Sequence, residues 1–368
     1  MAQNSNPSDR GAPVRQAFLQ QAGYCDQLGS PFTALLCRVL ADGLEGSSEI
    51  ERFILEWPGD ASAFADSVPL RVAGALHCLV RAGRAPELAE LYPPHGKPDS
   101  AKLLAAARGA LLDQGAFVRD FLQSPPQTNE VGRSAALIAG WLEIAARTQL
   151  PLSLFELGSS AGLNLIADRY SYRFGELQWT SGSESRAGSH LGSLGLTVSC
   201  GWTGRSPALD APLSVHSRRG CDRHPLNSTD PRQRERLLAY VWPDQRERID
   251  RLDAAIRTML SDPIFVETSD AAEWIERVLP ASGEPGITRV VFHSIIWSYL
   301  DRLTQERIAN HLAQIGAASS SNRPFAWLRL ELAGKDQPAA LRLTLWPGGT
   351  DELLAHVHPH GTWVRWCA

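Results

Sequence analysis

Between residues 14 and 149 apolar positions recur at helical spacing and nowhere with a period of two. Ser30-Pro31 opens one stripe, with Pro31 suited to a first helical turn and Leu35, Leu36, Val39 and Leu40 along one side. Residues 70–80 form a second stripe and 129–146 a third, with Asn129 placed to cap it. Prolines at 93, 94, 98, 125 and 126 separate the segments. Residues 1–150 are therefore expected to form an all-α domain.

After Pro151 the pattern changes. Short apolar runs at 152–157, 213–218, 264–267, 287–293 and 325–331 alternate with helical stretches. Such alternation predicts a parallel sheet covered by helices. Two more runs, 341–346 and 353–357, flank Pro347-Gly348-Gly349-Thr350 and predict a terminal antiparallel hairpin. Among the crossovers, Asp230-Pro231 supplies a cap and a first-turn proline, while Ile249, Leu252, Ile256 and Met259 keep one face. About 170–212 the chain is Gly/Ser-rich, with strand-like pieces at 177–180 and 196–202, which reads as a β-rich insertion or flap. The fold class expected for 151–368 is α/β, with a doubly wound, mostly parallel Rossmann-like sheet.

Composition narrows the classes further. The 368 residues suffice for two domains, and 43% hydrophobic with 21% charged residues is ordinary globular usage. A net charge of −4 gives no general attraction to nucleic acid or anionic membrane. Residues 218–257 hold ten arginines, but seven carboxylates are interleaved, the pattern of a solvated, salt-bridged face. The six cysteines contain no CxxC pair and read as free thiols of a reducing compartment. The opening MAQNSNPSDRGAP lacks an apolar signal region, and no run of 18 apolar residues occurs. A cytoplasmic protein acting on a small molecule, with no nucleic-acid or membrane partner, is the expectation.

The strongest chemical signal is Phe155-Glu156-Leu157-Gly158-Ser159-Ser160-Ala161-Gly162-Leu163-Asn164. A strand is expected to end at Gly158 and a helix to start near Ser160, offering free N–H groups to a ligand. The dinucleotide pattern GxGxxG finds one match of three, at Gly158. An acid-x-GxGxG pattern, the S-adenosylmethionine type, finds Glu156, Gly158 and Gly162, three of four, with Ser160 the departure. Glu156 favours an amino-acid ammonium and would repel a pyrophosphate. A ligand-free strand–helix turn is the other reading. Asp222, past the second strand, is a candidate for ribose hydroxyls, or a turn aspartate before Pro225. Asp270, past the third, is a candidate for an adenine amino group, a helix cap with Glu273, or both. His293 and Ser294 end the fourth strand, where a side chain would face the cleft beside Gly158 and orient or deprotonate an acceptor. His356, His358 and His360 alternate along a strand end and could converge on a metal, or be plain polar histidines.

FELGSSAGLNLIADRY, DRHPLNSTD, VWPDQRERIDRL, VVFHSIIWSYL and HPHGTWVRW resemble an uncharacterised bacterial family, the domain of unknown function numbered 2332, over nearly the whole chain. The resemblance implies a class I methyltransferase-like architecture and no established activity. Together with the glycine turn it leads to the expectation of an S-adenosylmethionine-dependent methyltransferase. Two alternatives remain: a non-catalytic binder of a nucleotide-like ligand, and a metal-dependent hydrolase.

Overall fold

The computed structural model describes residues 11–63, 65–96, 98–180, 195–334 and 337–367. The chain forms two compact units, Met1–Thr128 with Pro231–Asp250, and Asn129–Asp230 with Arg251–Ala368. The first contains α1 (Ala12–Gln27), α2 (Pro31–Gly43), α3 (Glu49–Leu55), α4 (Val68–Arg81), α5 (Pro86–Ala89), α6 (Ser100–Asp113) and α7 (Gly115–Leu122). Every regular element described in this part of the chain is a helix. Pro31 opens α2, and Leu36, Val39 and Leu40 are buried along it, as the stripe predicts. They join Phe18, Leu76, Leu111 and Phe121 in one core.

The second unit begins with α8 (Ser134–Thr148), β1 (Leu152–Leu157), β2 (Ser171–Phe174), β3 (Leu177–Trp179), β4 (Thr197–Thr203) and β5 (Val215–Asp222). The next helix, α9 (Pro231–Ala239), belongs to the helical unit: Ala239 and Tyr240 enter its core, and Arg236 Nη2 donates to the Phe121 carbonyl at 2.8 Å. Helix α10 (Arg246–Ser261) leads back to β6 (Glu267–Thr268), α11 (Ala271–Val278), β7 (Thr288–Ser294), α12 (Arg302–Ala317), β8 (Phe325–Leu332), β9 (Ala339–Trp346), β10 (Thr350–Val357) and β11 (Trp363–Trp366). The units thus divide at Thr128/Asn129 rather than at Pro151, and residues 231–250 cross over. The physical reason is α8, buried from Ser134 to Ala145, whose apolar surface is the cover of the sheet.

The eleven strands of the described residues form one sheet in the order β3-β2-β4-β11-β10-β9-β8-β7-β1-β5-β6. Pairing is parallel through β8, β7, β1, β5 and β6, and antiparallel through β8, β9, β10 and β11. The sheet is therefore mixed, larger than the five strands and hairpin expected. The described residues of the 170–212 stretch form the β-rich insertion expected, as part of the sheet and not as a separate flap. Its strands β2 and β4 pair in parallel, and β4 pairs with β11, so they extend the main sheet; residues 181–194 lie outside the described residues. The third expected run shrinks to two residues of β6.

Register decides which side chains meet. Glu156 lies opposite Gly220 and Phe292, and Leu157 opposite Cys221 and His293. In-register neighbours share a face and successive residues alternate, so Glu156 and Phe292 face one way, Leu157 and His293 the other. On the Glu156 face Trp141 of α8 packs edge-on against Phe292 at 5.2 Å. On the opposite face Phe155, Val291 and Trp327 pack with Trp274 of α11 and Ile308 of α12.

Candidate functional site

Three residues after β1 carry left-handed backbone: Gly158 at φ 69°, Ser160 at φ 51° and Gly162 at φ 76°. For serine this conformation costs about 1–2 kcal/mol, so something must hold it. Asp222 does: its Oδ2 accepts the Ser160 N–H at 2.9 Å, while the Leu226 N–H donates to the Ser160 carbonyl at 3.2 Å. Gly158 also needs its missing Cβ, because one would sit 2.4 Å from Cγ2 of Ile296. The helix expected from Ser160 does not form. Residues 160–166 are turns and bends, and a single 3-10 turn follows at Ala167–Arg169. The left-handed residues interrupt the helical ladder, and the Leu163 N–H goes instead to Oδ1 of Asn129 at 2.9 Å. No helix N-terminus therefore faces a ligand at this turn.

Glu156 is 1% exposed, and burial pushes its pKa up to about 8; Asp222 adds to the rise and Ser159 opposes it. Oε2 of Glu156 has no hydrogen-bond partner, and neither have Oγ of Ser160 and Oδ1 of Asn164, all buried and all on this one turn. Native interiors rarely leave such groups unmatched. Gly220 beside Glu156 makes room for Ser159 and Leu165, since a Cβ there would fall 2.2 Å from the Ser159 hydroxyl. The turn therefore presents acceptor oxygens short of donors, around an acid that is protonated at neutral pH for want of a counter-charge. A ligand ammonium or hydroxyl would supply what is missing.

The two aspartates take the turn and helix-cap roles expected as one reading of each. Asp222 also accepts the His224 N–H on Oδ1 at 2.9 Å, so it clamps the turn with both oxygens. Asp270 is the N-cap of α11, accepting from the Ala272 and Glu273 N–H groups at 2.9 and 3.4 Å. Its other oxygen pairs with Arg223 Nη2 at 2.7 Å. Burial works against its charge, yet this pair and the cap bonds hold its pKa below the ordinary value.

His293 is fully buried and in register with Leu157, on the face opposite Glu156. Trp327 Nε1 donates to His293 Nε2 at 3.1 Å, which leaves Nδ1 to carry the proton toward Glu331 Oε1 at 2.6 Å. Both ring nitrogens are thus engaged within the protein. Ser294, the next residue and 8% exposed, lies on the Glu156 face, and its carbonyl accepts from Arg133 at 3.2 Å. Sequence reasoning missed Trp297, Trp327, Arg329 and Glu331, which surround His293. Their signal was present: in 325–332 every second residue is aromatic or charged within an apolar strand.

His358 and His360 have ring centroids 5.6 Å apart, and the His360 N–H donates to His358 Nδ1. Among the described residues no group of three or more His, Cys, Asp or Glu is arranged to hold a metal, and no helix is long and apolar enough to cross a membrane. No curated protein and no solved structure matches the chain. A family model described as an uncharacterized protein conserved in bacteria, the domain of unknown function 2332, matches residues 15–366, and the chain belongs to that family.

Proposed function

We propose that the second unit binds S-adenosylmethionine at the Glu156–Asn164 turn and is a methyltransferase acting on a small-molecule nucleophile. One observation carries the reading: Gly158, Ser160 and Gly162 share the backbone conformation that a GxGxG turn needs, beside a buried acid with an unpartnered oxygen. The motif's one departure is in the side chain and not in the backbone. The reversal of strand order, with β5 on one side of β1 and β7 on the other, supports a Rossmann-like class I architecture for this part of the sheet.

In this reading Glu156 receives the ammonium of the amino-acid moiety and becomes ionised against it. The turn's backbone allows close approach, and Ser160 and Asn164 offer further polar atoms. Asp222, which holds the turn through the Ser160 and His224 N–H groups, stands at the carboxyl end of β5 as the residue to meet the ribose hydroxyls. Asp270 acts through α11 instead of contacting adenine. The bound sulfonium supplies the methyl group. Transfer by direct displacement depends on alignment more than on a base, which suits a face where Ser294, and no histidine of β7, stands ready to orient an acceptor.

Calorimetric titration tests the cofactor: S-adenosylmethionine or S-adenosylhomocysteine should bind, NAD far more weakly, and Glu156→Gln should weaken binding about tenfold or more. NAD binding without any S-adenosyl binding would contradict the proposal. The position of His293 favours one second reading, a catalytically silent binder of the same ligand. A turnover screen against amine and hydroxyl acceptors separates the two.

A further inference from the structure

We infer that a cavity of about 380 Å³ on the His293 face of the sheet is a separate small-molecule site that takes a planar aromatic carboxylate. It lies at the carboxyl ends of β7 and β8, the end of an open parallel sheet where ligands gather. Its size falls within the range of roughly 300–1,000 Å³ usual for such sites. The residues that matter in its wall are His293, Trp297, Trp327, Arg329, Glu331 and Arg342.

The aromatic part is held in place before any ligand arrives. The Trp297 and Trp327 rings stand 5.7 Å apart at 56°, and His293 stacks on Trp297 at 5.1 Å and 13°. Trp327 is tied to His293 and His293 to Glu331. Glu331 also accepts the Ile296 and Trp297 N–H groups at 3.1 and 3.2 Å, which fixes the loop that carries Trp297. A flat ring can pack against such a preformed wall at little cost in ordering.

The charges select the sign of the ligand. The Arg329 guanidinium lies 4.3 Å from the Trp327 ring centre, so the protein already occupies the place where a ligand cation would sit. Arg329 and Arg342 share a single carboxylate, Asp351, with Arg342 Nε at 2.9 Å from it. Glu331 is committed to three N–H donors. Nε of Arg329 is buried and has no partner. What the cavity lacks is an anionic acceptor attached to a flat apolar body.

Indole-3-carboxylate is the probe, with indole and cyclohexanecarboxylate as controls that each lack one half of the chemistry. Ligand-detected NMR and calorimetry on the full chain should show saturable binding of the probe, weakened about tenfold or more for each control. Trp297→Leu and Arg342→Met change partly exposed positions, and each should weaken the probe by a similar factor with thermal unfolding preserved. If a variant fails to fold, the comparison of probe and controls on the unaltered chain still decides. Absence of saturable binding, controls that bind as well as the probe, or an affinity unchanged in both folded variants would overturn the inference. None of these results depends on what the glycine turn binds.

Discussion

The two faces of one sheet, a single residue apart on β1 and β7, bury ionisable groups under opposite conditions. On one face Glu156 is enclosed with an oxygen that nothing donates to, and its pKa rises to about 8. On the other, His293 is enclosed with a donor to one nitrogen and an acceptor for the other, and its carboxylate partner Glu331 takes three N–H groups. Burial alone therefore does not mark a reactive group. A buried group whose bonds are complete is part of a wall, and a buried group whose bonds are incomplete awaits a partner.

The sharpest way to break this contrast is Glu331→Ala. It strands the His293 Nδ1–H and two backbone N–H groups, and should cost on the order of 3 kcal/mol of stability by denaturant unfolding. A loss below about 1 kcal/mol would mean that the wall does not depend on these bonds.

Glu156 should behave in the opposite sense. The folded chain keeps its proton to about pH 8, whereas an ordinary glutamate releases it near 4.5. Between those values folding takes up a proton, so stability should fall as pH rises, by up to about 1.4 kcal/mol per unit. Glu156→Gln should flatten that slope and leave the ligand-free chain as stable as the parent or more so at pH 8. An identical pH profile in the two proteins would show that the acid is satisfied after all.

Two smaller effects sharpen the picture of the turn. Asp270→Ala should cost about 1 kcal/mol through the lost cap of α11, with S-adenosyl affinity unchanged. A drop in affinity at unchanged stability would return Asp270 to the adenine role. Ser160→Gly should relieve left-handed strain, stabilising by no more than about 1 kcal/mol, and should weaken ligand binding by about 1 kcal/mol at most through the lost hydroxyl. Ser160→Val, a β-branched residue in the same conformation, should impair both.

Much of this was legible in the chain. The helical stripes before residue 128, five of the strands and the hairpin around Pro347 all follow from periodicity. So does the acid-and-glycine turn. Other features were hidden because they depend on contacts distant in sequence. The helix after β1 was expected from its apolar spacing. It fails because Ser160 and Gly162 take left-handed backbone, in a turn held by Asp222, 62 residues from Ser160, and by Asn129, 34 residues from Leu163. β2 and β11 are four residues each, too short to signal alone, and gain their pairing from β4. His293 was placed correctly at the end of a strand. Its face was not legible, because a shift of one residue in parity reverses the direction of a side chain.

If Glu156 is an acid waiting for a cation, ligand binding must ionise it, and proton counting detects that change. S-adenosylmethionine binding is measured by calorimetry near pH 6.5, about 1.5 units below the folded pKa, in buffers of differing ionisation enthalpy. Glu156 should release about one proton per ligand bound, a release absent in Glu156→Gln, which binds more weakly. Tight binding with no difference in proton release between the two proteins would contradict it.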